Sequence, residues 1–94
     1  MGYKLRPGVE LIKVCGAHLL IPSHAASEHC DGLYRLSTME TIYIQQLTKG
    51  KTMEELSRIL GKLARREPEE MRRDIEKKLA TLVGLGFLIE VDEP

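Results

Sequence analysis

The chain has 94 residues, enough for one domain over 1–94 and a thin core. Lys plus Arg and Asp plus Glu balance at 14 each, so there is no overall pull toward nucleic acid or an acidic membrane. No apolar run is long enough to span a bilayer, Met1–Arg6 lacks the apolar stretch of a secretory signal, and two cysteines are too few for a disulfide framework; a cytoplasmic protein with free thiols is expected.

The first third reads as strand and loop. Val9–Val14 is β-branched and partly alternating, Cys15-Gly16 supplies a turn, and Ala17–Ile21 is a second apolar run stopped by Pro22. Two runs around a Gly turn predict a hairpin. Pro22–Gly32 is polar and irregular, a loop carrying His24, His29 and Cys30. Leu33–Leu36, short and apolar, is the candidate third strand.

Three helices follow. Ser37 and Glu40 have the spacing of a capping box, with Met39, Ile42, Tyr43 and Leu47 on the expected buried face and Gly50 as the stop. Thr52 repeats the capping logic with Glu55, and Met53, Leu56, Ile59, Leu60 and Leu63 form the second stripe. Pro68 suits a first helical turn, and Glu69 and Glu70 suit its positive end. Met71, Ile75, Leu79 and Leu82 make the third stripe, ended by Gly84 and Gly86; Phe87–Val91 is a terminal strand or extended tail. A hairpin, a third short strand and three α-helices make an α+β, winged-helix-like domain.

The motifs in order resemble a known family. Arg6-Pro7-Gly8-Val9 opens the hairpin and Gly32-Leu33-Tyr34-Arg35-Leu36-Ser37 leads into a helix closed by Gly50-Lys51-Thr52. Glu54-Glu55-Leu56, Arg73-Asp74-Ile75 and Leu82-Val83-Gly84-Leu85-Gly86-Phe87-Leu88 follow. This series is similar to the coenzyme-PQQ synthesis protein D (PqqD-like) family, the founding example of the leader-recognition elements of ribosomal peptide natural-product pathways. It spans about Leu5 to Ile89. Ser37 stands where that family usually has Asn, and Lys78 where it usually has an apolar residue.

The resemblance implies a winged-helix-like peptide chaperone that is not an enzyme and holds no cofactor. Its partners would be the leader region of a precursor peptide and a modifying enzyme such as a radical-SAM maturase, a peptidase or a cyclase. The leader would bind as an extra strand beside the third strand, in a cleft shared with the third helix. The peptide-binding residues expected here are then Leu33, Tyr34, Arg35 and Leu36 on the strand and Met71, Asp74, Ile75 and Lys78 on the helix. Alternation puts Leu33 and Arg35 on one face and Tyr34 and Leu36 on the other, with Leu36 in the core and Arg35 facing an acidic leader group. Apolar anchors would rest on an exposed edge of Met71 and Ile75. An open strand edge also permits a homodimer by strand exchange.

Other chemistry is less well supplied. Cys15, His18, His24, His29 and Cys30 match no paired metal-ligand spacing, and no metal is expected. A Cys–His nucleophile lacks an orienting partner, and there is no phosphate-binding glycine loop. The alternative is a winged-helix DNA-binding transcriptional regulator, for which Arg72, Arg73, Lys77 and Lys78 would face the groove. The interspersed Glu69, Glu70, Asp74 and Glu76 oppose it, pairing as Glu69–Arg73 and Asp74–Lys78 along the helix. The apparent wing, ending in Glu90, Asp92 and Glu93, would repel phosphates, so nucleic acid is not an expected partner.

Overall fold

Local turn chemistry sets the hairpin. In the computed structural model, which describes residues 2–30 and 32–91, Cys15 and Gly16 both have positive φ, 50° and 81°. That is the two-residue turn whose twist matches paired strands. It joins β2 (Val9–Val14) to β3 (Ala17–Pro22), with Val14 opposite Ala17. β4 (Tyr34–Leu36) pairs antiparallel with β3, giving a sheet ordered β2-β3-β4.

A second sheet was not legible in the sequence. β1 (Gly2–Leu5) pairs antiparallel with β5 (Leu88–Val91), and the Arg6 amide donates to the Phe87 carbonyl at 2.9 Å. The terminal strand expected over 87–91 therefore forms as β5, and β1 is the partner that the sequence did not show. The Gly86 turn, at φ 92°, reverses the chain after the last helix and sends β5 back along β1. Buried Phe87 and Leu88 hold it there. Asp31, Asp92 and Glu93 lie outside the described residues.

Three helices cover the sheets: α1 (Thr38–Thr48), α2 (Met53–Ala64) and α3 (Pro68–Gly84). Both capping boxes form. Ser37 Oγ accepts from the Glu40 amide at 3.1 Å and Thr52 Oγ1 from the Glu55 amide at 3.2 Å. Each glutamate accepts in return from its cap residue's amide. Pro68 occupies the start of α3, where its missing N–H has no helical acceptor to lose.

The core joins Leu20 of β3, Ile44 of α1, Leu56 and Leu60 of α2, and Ile75 and Leu79 of α3, all fully buried. Each such side chain contributes roughly 1.5–3 kcal/mol on burial. Two expected stripes are rotated. On α1, Glu40, Thr41, Tyr43 and Ile44 are buried while Met39 is exposed, because the Glu40 carboxylate is drawn inward by hydrogen bonds. On α2 the buried series is Met53, Leu56, Ser57, Leu60 and Gly61, a strict 3–4 spacing against α3. That register turns Ile59 and Leu63 outward, 37% and 69% exposed. The 22–32 loop is tighter than its polar composition suggests. Turns at Ser23–Ser27 and Ala26–His29 bury Ala26 and Cys30.

Candidate functional site

The β4 strand has one neighbour, β3, among the described residues. Which of its backbone groups remain unused follows from register. With a two-residue turn, Val14 and Ala17 form the hydrogen-bonded pair that closes the hairpin. Alternation then turns the backbone groups of His18 and Leu20 toward β4. Their partners are Leu36 and Tyr34. The Arg35 N–H and C=O therefore face away from the sheet. One residue on, the edge closes: the Ser37 amide donates to Glu40 Oε1 at 2.9 Å, and the Ser37 carbonyl accepts from Thr41.

A trough of about 550 Å³ opens at Ser37, the residue that follows β4. Ser37, Met39 and Tyr43 line it from the β4–α1 side; Asp74, Lys77, Lys78 and Thr81 line it from α3. Asp74, Lys78 and Thr81 follow at helical spacing, with Lys77 alongside, so one flank of α3 forms the wall. Of the residues expected from sequence, the structure brings Asp74 and Lys78 to this wall. Arg35 is exposed on the strand, and Leu33 is 60% exposed just before it.

Other expected contacts are corrected. Met71 and Ile75 have no exposed edge on which an anchor could rest, being 1% and 0% accessible on a helix that packs against α2. Leu36 is core, as strand alternation predicted, so its side chain offers no contact to a guest. The Tyr34 side chain turns inward: its ring centroid lies 5.9 Å from that of Phe87, and its hydroxyl donates to Glu40 Oε2 at 2.9 Å. Burial, then the hydrogen bond to Glu40 and its charge, raise the Tyr34 pKa above 10.0. Met39, Tyr43, Lys77 and Thr81 were missed. Lys77 and Thr81 share the flank of Asp74 and could have been read from the helical wheel. Tyr43 could not, since its place depends on how α1 packs across α3.

Electrostatics around the trough differ from the expected helix pairing. Neither Glu69–Arg73 nor Asp74–Lys78 forms an ion pair among the described residues. Arg66, from the turn before α3, takes Asp74 through a short hydrogen bond from Nη1 and Glu70 through Nε at 3.5 Å. Glu70 and Asp74 are one turn apart and meet the same guanidinium. The Asp74 hydrogen bond leads in raising the Arg66 pKa further. Burial, then the Asp74 charge, raise that of Tyr43.

Among the described residues no three His, Cys, Asp or Glu side chains gather as ligands. Cys30 is buried and donates to the Gly86 carbonyl at 3.3 Å, whereas Cys15 is exposed at the hairpin tip. Burial raises the Cys30 pKa, away from a reactive thiolate. No helix among the described residues is long and apolar enough to cross a membrane.

No protein-family profile matches the sequence, and no curated protein matches it. In three dimensions the chain is similar to a solved structure described as lasso peptide synthetase B1 complexed with the leader peptide. The TM-score is 0.77 at 16% identity, over 96% of this chain and 100% of the other. The α+β architecture of hairpin, strands and three helices is therefore that of a known fold.

Proposed function

We propose that this chain binds the leader region of a ribosomally made precursor peptide and presents it to a modifying enzyme. The observation that carries the reading is the outward-facing Arg35 backbone beside a trough walled by α3. An extended guest segment adds main-chain hydrogen bonds to such an edge and sends alternate side chains into the trough. The fold shared with a protein solved in complex with a leader peptide supports leader binding. So does the PqqD-like order of motifs, which favours a radical-SAM maturase, peptidase or cyclase as the enzyme served. In this reading the chain does no chemistry and needs no cofactor. It raises the local concentration of the precursor at its partner's active site.

Calorimetric titration with the leader of a precursor encoded beside this chain's gene tests the proposal, with duplex DNA as the second titrant. Saturable leader binding at roughly micromolar Kd or tighter is expected. Salt-sensitive DNA binding without leader binding would overturn it in favour of a regulator.

A further inference from the structure

We infer that the trough selects a guest strand bearing an acidic side chain opposite Lys77 and Lys78. This rests on the strand-addition reading and adds the chemistry of the segment that is recognised.

The inference comes from which charges around the trough are already paired. Of its three charged wall residues, Asp74 is engaged by Arg66. Lys77 and Lys78 are exposed and have no ion-pair partner among the described residues. The wall that reads as mixed in sequence therefore presents two ammonium groups that no carboxylate among the described residues engages directly. Arg35, which has no ion-pair partner among the described residues, adds a third cation on the opposite face of the edge strand, since it alternates with inward Tyr34 and Leu36. A guest strand alongside Arg35 meets cations on both of its faces. With a formal net charge of zero, the whole molecule supplies no general attraction for acidic peptides, so any preference arises at this groove.

The remaining lining adds an apolar requirement. Met39 is partly exposed and Tyr43 offers the edge of a buried ring. The floor thus suits a medium-sized apolar side chain close to the acidic one. Trough-facing positions on a guest strand recur every second residue. The segment expected is extended, with an Asp or Glu and an apolar residue at that spacing.

The test is selection of a displayed library of random short peptides on the intact protein, followed by affinity measurement of the enriched peptides. Backbone amide shifts at Arg35 report whether each one occupies the edge. Peptides that shift Arg35 and carry Asp or Glu are expected. They should lose roughly tenfold in affinity when Lys77 and Lys78 are both changed to Gln, and similarly when the acid is changed to its amide. Added salt should narrow the gap, and Lys78→Glu should shift enrichment toward Lys and Arg. Both lysines are exposed, and circular dichroism checks that the variants keep the fold. Enriched peptides that shift Arg35 without any acidic preference would overturn the inference and leave strand addition standing. Failure to enrich any peptide that reaches Arg35 would overturn both.

Discussion

The Tyr34 hydroxyl donates to Glu40 Oε2 at 2.9 Å while Glu40 Oε1 accepts from the Ser37 amide, so one buried carboxylate ties the edge strand to the start of α1. The coupling fixes β4 at the lip of the trough. A hydrogen bond to a charged acceptor contributes about 1.5–3 kcal/mol. Tyr34→Phe should lower stability within that range, and Glu40→Gln should cost more through the weakened cap. In a double-mutant cycle read by urea unfolding the two losses should be non-additive. Additive losses would mean that the pair is not coupled.

Alkaline pH should weaken the fold. All three tyrosines have pKa values raised above 10.0, with burial the largest cause for each. The unfolded chain ionises first, so this stability is complete below about pH 10 and falls as pH rises toward the folded-state values. Tyrosinate absorbance should titrate above 10.0 in the native protein and near it in denaturant. Identical curves would contradict the burial of Tyr43 and the partial burial of Tyr3 and Tyr34.

Gly86 is irreplaceable on steric grounds. Its φ is 92°, and a Cβ there would sit 1.9 Å from the His29 carbonyl oxygen. That carbonyl belongs to the loop that the Cys30 thiol pins to the same turn by donating to the Gly86 carbonyl, which also accepts from Arg6 Nε. Gly86→Ala should destabilise by at least ~3 kcal/mol, from the strained φ and the clash together. Gly16→Ala, with nothing within 4 Å, should cost much less. Equal melting temperatures for the two variants would refute the close packing of loop and turn.

Helix positions were legible because capping boxes and Pro68 are local signals, and the hairpin because its turn residues are adjacent in sequence. Long-range choices were not. The four residues of β1 show no clear alternation, and their partner strand lies at the other end of the chain. The candidate site was half legible. Strand alternation gave the outward Arg35; helical spacing left two flanks of α3 open, Asp74 with Lys78 or Arg72 with Glu76, and only the family resemblance chose the first. Whether Met71 and Ile75 kept an exposed edge depended on how deeply α3 sinks between its neighbours, which no single helix encodes.

The rotated register of α2 makes a further distinction. Leu60 is fully buried and Leu63 is largely exposed, three residues apart. Leu60→Ala should cost about 2–5 kcal/mol, whereas Leu63→Gln should stay within about 0.5 kcal/mol. Comparable losses in thermal unfolding would place Leu63 in the core, as the original stripe had it.

Proline at position 35 separates guest binding from the protein's own ladder. Register directs the Arg35 N–H outward, so Arg35→Pro should spare the β3–β4 pairing yet weaken leader binding roughly tenfold or more, through the lost main-chain bond and the lost charge. Arg35→Gln keeps the N–H and separates the two losses. Tyr34→Pro, by contrast, breaks the native ladder and should unfold β4. Equal affinity of Arg35→Pro and Arg35→Gln would deny the main-chain bond.

Hydrogen exchange at individual β4 amides tests strand addition most directly. In the free protein the Tyr34 and Leu36 amides should exchange slowly and Arg35 fast; a saturating leader peptide should slow Arg35 to match its neighbours. An Arg35 amide that still exchanges freely in the saturated complex would mean that the guest chain does not hydrogen-bond along this edge.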